Sequence, residues 1–313
     1  MVDAMRYQVF AAHVQGENHK TPPEKECQDF SLKDIDNDMA VVIIADGHGS
    51  DNCFRSDKGS KMAAEQAKLG IQEFIRNPPP RDEMEKKLRE FLVKSIRTNW
   101  FVEVEKHYSA HPFSEGEIAG AAEKYQERYR KGEQFYRAYG TTLIAVAAAK
   151  DYWFGIHIGD GKCTAFYPDG TCDHPIPPDD NCFLNITTSI CDDDAVGQAT
   201  IHYSARKEKE PPVMVFINSD GVDDSYPAGD NEKYLEGLYR TIAVNFCDEI
   251  QKAGPVDGFE NGKKQVEEFL PDLSKRGSGD DVSMAALIDV EALIKLGPIL
   301  RQQVADDEKE KAD

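Results

Sequence analysis

The stretch MAVVIIADGHGS, residues 39–50, joins an apolar run to a polar loop that begins with Asp46 and Gly47. A short apolar run followed by turn residues predicts a buried strand. The carboxylate of Asp46 then lies at the end of a core strand, where partial loss of water is unfavourable without a partner. Neither neighbour in sequence is a Lys or Arg. The stretch therefore predicts a buried strand that ends in a carboxylate in need of a cation.

The same dipeptide follows two further apolar runs. FGIHIG precedes Asp160-Gly161, VFINS precedes Asp220-Gly221, and the acid pair Asp280-Asp281 lies just before the run VSMAALI. For any single Asp-Gly the simpler interpretation is a hairpin turn, which we adopt for Asp169-Gly170 and Asp257-Gly258. Three of them after buried strands favour another interpretation. If these strand ends meet, the repulsion between their carboxylates requires a cation, and hard divalent ions take oxygen ligands of this kind.

Composition restricts the partners of the protein. The chain has 313 residues, and 57 acidic against 37 basic residues give a formal net charge of −20. A field of this sign repels nucleic acid and anionic membrane surfaces. No apolar stretch approaches the length of a membrane span. The seven cysteines show no C-x-x-C pairs, so we expect reduced thiols and a cytoplasmic protein, with a redox switch or a zinc site as the alternatives.

The order of the elements predicts an α+β fold. Helices grouped around antiparallel sheets fit this order better than a strict β-α-β alternation. The pattern predicts strands at residues 7–14, 29–35, 39–45, 141–149, 152–158, 163–167, 200–204, 213–218 and 282–288. It predicts helices at residues 58–75, 82–106, 114–137, 232–250 and 263–270, and a charged end at 306–313 that frays.

The histidines bear on the choice of metal. They show neither H-E-x-x-H nor H-x-H spacing, which favours Mg²⁺ or Mn²⁺ over zinc. Two such ions can hold a phosphoryl group and activate a bridging water or hydroxide for attack on phosphorus. His48, two residues after Asp46, is placed to protonate the leaving oxygen. The alternative for His48 is a solvated loop residue.

Taken together, five short segments resemble the 2C-type metal-dependent protein phosphatases, the PPM family. They occur in the family's order and span residues 5 to 290. The segments are Asp46-Gly47-His48-Gly49-Ser50, Tyr139-Gly140-Thr141-Thr142, Gly159-Asp160-Gly161-Lys162, Ser219-Asp220-Gly221-Val222-Asp223-Asp224 and Ser278-Gly279-Asp280-Asp281-Val282-Ser283.

The resemblance implies a four-layer α/β/β/α sandwich, with two antiparallel sheets between helices, and Mn²⁺- or Mg²⁺-dependent serine/threonine phosphatase activity. By motif position, Asp46 bridges two metals, the carbonyl of Gly47 binds the second, and Asp220 and Asp280 bind the first. Asp160 matches a position that helps to hold a weaker third metal.

The remaining roles are also implied by the resemblance. His48 matches the proposed general acid, and Asp29 matches the acid that orders metal-bound water. The residues that grip the substrate phosphate are expected at His19 and Lys20, with Lys25 as a further candidate. Gln28 stands where many members have Glu, and Cys27-Gln28-Asp29 after His19 is similar to a divergent, mostly bacterial branch.

We expect one phosphatase domain over residues 1–295 and a charged C-terminal tail over 296–313. Residues 101–137 look longer than the usual helix connection, as a partner-facing insertion or, alternatively, a solvated helical hairpin. Residues 175–198 occupy the position of the family's flap.

The expected function is hydrolysis of phosphoserine and phosphothreonine in proteins, with a cognate Ser/Thr kinase as a candidate partner. The alternatives are a catalytically weak binding or regulatory protein of the same fold, and an acidic metal-binding protein without activity.

Overall fold

Two five-stranded antiparallel sheets form the centre of the structure, a computed structural model that describes residues 6–22, 24–177, 182 and 187–312. The first sheet has the strand order β1-β10-β9-β6-β7, and the second has the order β2-β3-β4-β5-β8. The strands are β1 Tyr7–Val14, β2 Asp29–Ile35, β3 Met39–Asp46, β4 Leu143–Ala149, β5 Tyr152–Ile158, β6 Lys162–Phe166, β7 Cys172–Asp173, β8 Thr200–Ala205, β9 Met214–Asn218 and β10 Val282–Asp289.

Helices cover the outer face of each sheet, which confirms the α/β/β/α arrangement. Five helices of the described part are longer than 16 residues, and 3-10 turns and one π-helical segment are also present. The helices are α1 Ser56–Arg76, α2 Met84–Lys87, α3 Lys94–Ala110, α4 Glu115–Gly120, α5 Glu123–Arg130, α6 Ala195–Gln198, α7 Asp220–Asp223, α8 Asn231–Ala253, α9 Pro255–Arg276 and α10 Val290–Ala312. None of these helices carries an apolar stretch of the length needed to cross a bilayer.

The burial of both faces explains the unbroken apolar runs of the strands. Val41 and Ile43 pack into the layer between the second sheet and its helices. Their neighbours Val42 and Ile44 point the other way, into the layer between the two sheets. Because successive side chains of a strand alternate between faces, a strand buried on both sides needs apolar residues at every position.

The prediction of a single helix over residues 114–137 is wrong. The helix begins as expected, since Ser114 and Glu117 form a reciprocal capping box. However, α4 ends at Gly120 and α5 ends at Arg130, and Gly132 follows with a φ of 69°. Residues 101–137 are also no solvated hairpin, because they supply several side chains to the core beneath the second sheet. Those fully buried are Val104, Ile118, Ala121 and Tyr129.

The hairpin turn predicted at Asp257-Gly258 is wrong, because both residues lie near the start of α9.

Two further predicted boundaries differ from the structure. The helix predicted at 82–106 is interrupted by a π-helical segment, Leu88–Val93, before α3. The expected tail at 296–313 is helical through Ala312, as the end of α10. Leu296 and Leu300 of this helix are buried against the first sheet's helices. Packing of these leucines therefore anchors the helix that continues into the charged run 306–313, for which the sequence suggested fraying.

The topology brings the carboxylates to one edge of the sandwich. β3 and β5 are both antiparallel to β4, so Asp46 and Asp160 leave the second sheet at the same edge. In the first sheet, β9 and β10 are antiparallel neighbours, so the end of one lies beside the start of the other. Asp220 and Asp280, which follow β9 and precede β10, therefore also meet at one edge.

Candidate active site

All four carboxylates predicted to bind metal line one cavity. Its volume is about 380 Å³, and both sheets contribute to its wall. The side chains that meet there include Asp46, Asp160, Asp220 and Asp280. The other lining residues are Gln28, Gly47, His48, Gly49, Ser50, Cys53, Thr142, Thr187 and Asp281. The expectation that the three Asp-Gly pairs and Asp280 lie together thus holds in the structure.

The backbone of Asp46 is held by the two threonines that precede β4. Its N–H donates to the hydroxyl of Thr142 at 3.1 Å. Its carbonyl oxygen accepts from the Thr141 hydroxyl at 2.7 Å and from the Thr142 N–H at 2.8 Å. The two threonines are therefore structural, because they hold the end of β3 in place.

Gly47 is required by close packing of the backbone. A Cβ at this position would lie 2.7 Å from the carbonyl oxygen of Gln28 and 2.8 Å from that of Ser56. The Gly47 N–H donates to the Gln28 carbonyl at 3.1 Å. The loop after Asp46 consequently stays close to the start of β2.

Asp29 stands directly opposite Asp46 on the neighbouring strand. One carboxylate oxygen accepts a hydrogen bond of 2.8 Å from Ser219. The other oxygen, Oδ1, is buried and has no hydrogen-bond partner among the described residues. A buried acceptor left in this state is costly and indicates a missing donor or cation.

The carboxylates that line the cavity repel one another strongly. Burial, followed by the charge of Asp281, raises the pKa of Asp29 to about 8. Burial also raises the pKa of Asp220 to about 7, helped by the charges of Asp160 and Asp280. The pKa of Asp46 is raised well above its ordinary value by burial and then by the charges of Asp29 and Asp220. Without a cation, these carboxyl groups hold protons near neutral pH.

The donor set therefore fits divalent cations. Asp46 and Asp220 lie within hydrogen-bonding reach of each other, an arrangement that two ionised carboxylates adopt only with a proton or a metal between them. The cavity walls supply carboxylate and carbonyl oxygens, the ligands preferred by Mg²⁺ and Mn²⁺.

His48 lies on the wall of this cavity. The backbone N–H of His48 donates to the carbonyl of Gly140 at 3.1 Å, and the backbone carbonyl of His48 accepts from the side-chain amide of Gln28 at 3.2 Å. Burial lowers the pKa of His48, whereas the charges of Asp160 and Asp192 act in the opposite direction. The solvated-loop interpretation therefore does not describe this side chain.

The predicted phosphate-binding residues take different positions. The Nδ1 of His19 lies 2.9 Å from Oδ1 of Asp281, next to the cavity. Lys20 is half exposed, and its ammonium pairs with Glu17 at 3.1 Å. Lys25 reaches the loop after Asp46 instead, since its ammonium donates to the Gly49 carbonyl at 3.3 Å.

The structure adds Asp281 to the site. Its carboxylate is 3 % exposed and accepts hydrogen bonds from the N–H groups of Gly16 and Gln28, both at 2.6 Å, besides its contact with His19. The sequence shows Asp281 only as the second acid of a pair. A buried position beside Asp280 is the signal that includes Asp281 in the site, and it becomes visible only in three dimensions.

The segment 175–198 is partly described. Residues 178–181 and 183–186 lie outside the described part of the chain. Beyond them, Thr187 donates to Asp160 at 2.5 Å, and the Ile190 N–H donates to the carbonyl of Thr141 at 3.0 Å. The acidic run that follows contacts Arg137, which lies 3.7 Å from Asp192. The described end of the segment thus borders the cavity.

Comparison with known proteins agrees with this geometry. The sequence profile described as protein phosphatase 2C matches residues 16–270. A comparison with curated proteins finds no match.

Solved structures with the same fold share little sequence with this chain. The serine/threonine phosphatase Stp1 from Staphylococcus aureus is 12 % identical with a TM-score of 0.51, over 91 % of this chain and 96 % of that one. A variant of a bacterial serine phosphatase is 13 % identical with a TM-score of 0.52, over 90 % and 97 %. A C. elegans sex determining protein is 14 % identical with a TM-score of 0.55, over 93 % and 67 %. At these identities the structural likeness establishes the fold alone.

The profile covers most of the chain, and the fold and the carboxylate cavity agree with it. The chain belongs to the protein phosphatase 2C family.

Proposed function

We propose that this protein hydrolyses phosphoserine and phosphothreonine in other proteins, with two divalent cations, Mn²⁺ or Mg²⁺, held in the carboxylate cavity. The observation that carries the proposal is the meeting of Asp46, Asp160, Asp220 and Asp280 in one cavity. Their mutual repulsion leaves the site incomplete without positive charge. Membership of the protein phosphatase 2C family makes phosphorylated proteins the substrate class.

The proposed ligands come from both sheets. Asp46 and the carbonyl of Gly47 belong to the second sheet and its loop, and Asp220 and Asp280 belong to the first. Asp160 is proposed for a weaker third ion. When bound, such cations stabilise negative charge on a phosphoryl group and make water a better nucleophile.

Protein groups supply the remaining functions. Asp29 keeps one buried acceptor oxygen without a partner among the described residues, and we assign it the orientation of water beside Asp46. His48, on the cavity wall, is assigned proton delivery to the serine or threonine oxygen as it leaves. This proton matters because an alkoxide is a poor leaving group.

The substrate phosphate requires a cationic or hydrogen-bonding contact at the rim. His19 and Lys20 are the candidates from the sequence, and Lys25 is favoured by its contact with the Gly49 carbonyl. The ammonium of Lys25 lies against a loop residue of the cavity wall. A Lys there offsets part of the negative field that an incoming phosphate meets.

Hydrolysis of p-nitrophenyl phosphate with Mn²⁺, compared with the same assay in EDTA, tests the proposal. We expect activity only with metal, and losses of about 10²-fold or more in Asp46→Asn and Asp220→Asn, because each weakens the binding of a cation that stabilises the developing negative charge. Asp257→Asn, on the exposed first turn of α9, is the matched control. Unchanged rates in both cavity variants would contradict the assigned site. Metal binding without turnover, also on phosphopeptides, would favour the binding or regulatory alternative.

A further inference from the structure

The segment before β2 is docked on the end of α9 and on the loop that carries Asp280. The Asn18 N–H donates to the Gly279 carbonyl at 2.9 Å, and the Glu17 N–H donates to the hydroxyl of Ser274 at 3.1 Å. Gly16 approaches the backbone of Asp280 so closely that a Cβ there would lie 2.4 Å from its carbonyl carbon. This docking fixes the 3-10 turn Glu17–Lys20, and with it His19, beside the metal-binding edge.

Asp281 sets the orientation of the His19 ring. Its oxygen Oδ1 lies 2.9 Å from Nδ1 of His19. Because a carboxylate oxygen accepts, Nδ1 carries the hydrogen and donates, and Nε2 of the neutral ring is left with its lone pair. His19 is mostly buried, with 14 % of its side chain exposed. The ring therefore has a defined tautomer and little freedom to turn away.

The free nitrogen faces Asp280. Nε2 of His19 lies 3.7 Å from Oδ1 of Asp280, which is too long for a hydrogen bond. Two ligand atoms that are each about 2.1 Å from one ion lie roughly 3–4 Å apart, depending on the angle between them. One potential donor atom each from His19, Asp280 and Asp281 lies within 4.8 Å of the others.

We propose that His19 is a metal ligand through Nε2, sharing the ion of Asp280, and that Asp281 is the positioning residue that orients it. A carboxylate that fixes the tautomer of a metal-binding histidine is a common arrangement around protein metals. The inference rests on the proposed function, because it uses the ion assigned to Asp220 and Asp280. It replaces the phosphate contact that the family resemblance implies for His19.

A nitrogen ligand changes the preference of the site. Imidazole is a ligand for divalent transition metals, a class that includes Mn²⁺, whereas Mg²⁺ is held by oxygen ligands and keeps several of its waters. His19 consequently makes the site selective for Mn²⁺ over Mg²⁺. This selectivity is a property that the carboxylates by themselves do not provide.

Electron spin echo envelope modulation of the Mn²⁺-loaded full-length protein tests the proposal without reference to activity. We expect ¹⁴N modulation from a directly bound imidazole, which changes to the ¹⁵N pattern when only histidine is labelled with ¹⁵N. The modulation disappears in His19→Gln and persists in His48→Gln. It also persists in His111→Gln, a control at an exposed histidine outside the cavity.

Calorimetric titration with Mn²⁺ and Mg²⁺ provides the second readout. His19→Gln is expected to weaken Mn²⁺ binding by about tenfold or more and Mg²⁺ binding much less. Asp281→Asn is expected to weaken Mn²⁺ binding by about 10- to 100-fold. Since Asp281 also holds Gly16 and Gln28, circular dichroism must show that this variant folds; if it does not, His19→Gln decides alone.

Failure of the His19 proposal can be distinguished from failure of the proposed function. Mn²⁺ that binds tightly to the wild type without histidine modulation, or with modulation that survives in His19→Gln, overturns the ligand role and leaves the proposed function intact. Absence of Mn²⁺ binding to the wild type overturns both.

Discussion

Asp46 and Asp220 reach each other from different sheets. Asp46 ends β3 of the second sheet, and Asp220 follows β9 of the first, yet their carboxyl groups lie within hydrogen-bonding reach. Burial and the charges of neighbouring acids raise the pKa of both. The sandwich thus places like charges in contact at its edge, and a divalent cation relieves the repulsion that this arrangement creates.

Replacement of His48 by alanine is expected to affect substrates according to their leaving group. An alkyl phosphate needs a proton on its leaving oxygen, so its hydrolysis should fall by about 10²-fold in His48→Ala. p-Nitrophenolate leaves without a proton, and its release should fall by less than about tenfold. The check is kcat on both esters with saturating Mn²⁺. Equal losses on the two esters would remove the acid role from His48.

The pH dependence of stability should reveal the contact between Arg55 and Glu117. The guanidinium of Arg55 lies 2.7 Å from Glu117 and also donates to the Tyr139 hydroxyl at 2.8 Å, which ties α4 to the start of α1. Partial burial raises the pKa of Glu117, but the hydrogen bonds from Arg55 and Ser114 and the charge of Arg55 together outweigh it, and the net pKa is about 2, below the ordinary 4.5.

A carboxylate whose pKa is lowered on folding stabilises the protein above its unfolded-state pKa. We therefore expect the wild type to lose stability relative to Glu117→Gln as the pH falls from about 5 towards 3. Urea denaturation of both proteins across this range measures the difference. Glu115→Gln, at an exposed glutamate paired with Arg130, should leave the profile unchanged. A constant difference between wild type and Glu117→Gln would show that the ion pair contributes nothing.

The end of α10 should contribute to stability as part of the core. Leu300 is fully buried, whereas its neighbour Ile299 is 42 % exposed. Leu300→Ala is expected to lower the free energy of unfolding by about 2–5 kcal/mol, because it leaves a cavity. Ile299→Ala should change it by less than about 1 kcal/mol. Chemical denaturation compares the two, and similar costs for both would mean that this segment does not pack as the structure places it.

The position of Asp46 and Asp220 at the ends of buried strands was predictable from the sequence for a local reason. Strands buried on both faces have apolar residues throughout, so the runs before Asp46 and Asp220 mark where each strand ends. A carboxylate at such an end is visible without knowledge of the fold. The resemblance to the family then indicated that these strand ends meet in space.

Other parts depend on contacts between distant segments. The charged run at residues 306–313 suggests a frayed end, but α10 continues through Ala312 and is anchored by the packing of Leu296 and Leu300. Likewise, the break after Gly120 allows Ile118 and Tyr129 to reach the same core. The role of Asp281 depends on Gly16, His19 and Gln28, which lie more than 250 residues away in sequence.

The central claim is that carboxylates from both sheets meet around divalent cations. A crystal structure of the protein grown with abundant Mn²⁺, with anomalous diffraction collected at the manganese edge, tests it most directly. The account predicts two strong anomalous peaks in the cavity, with the side chains of Asp46, Asp220 and Asp280 directed at them. Carboxylates at these positions that point apart, with no manganese between them, would contradict it.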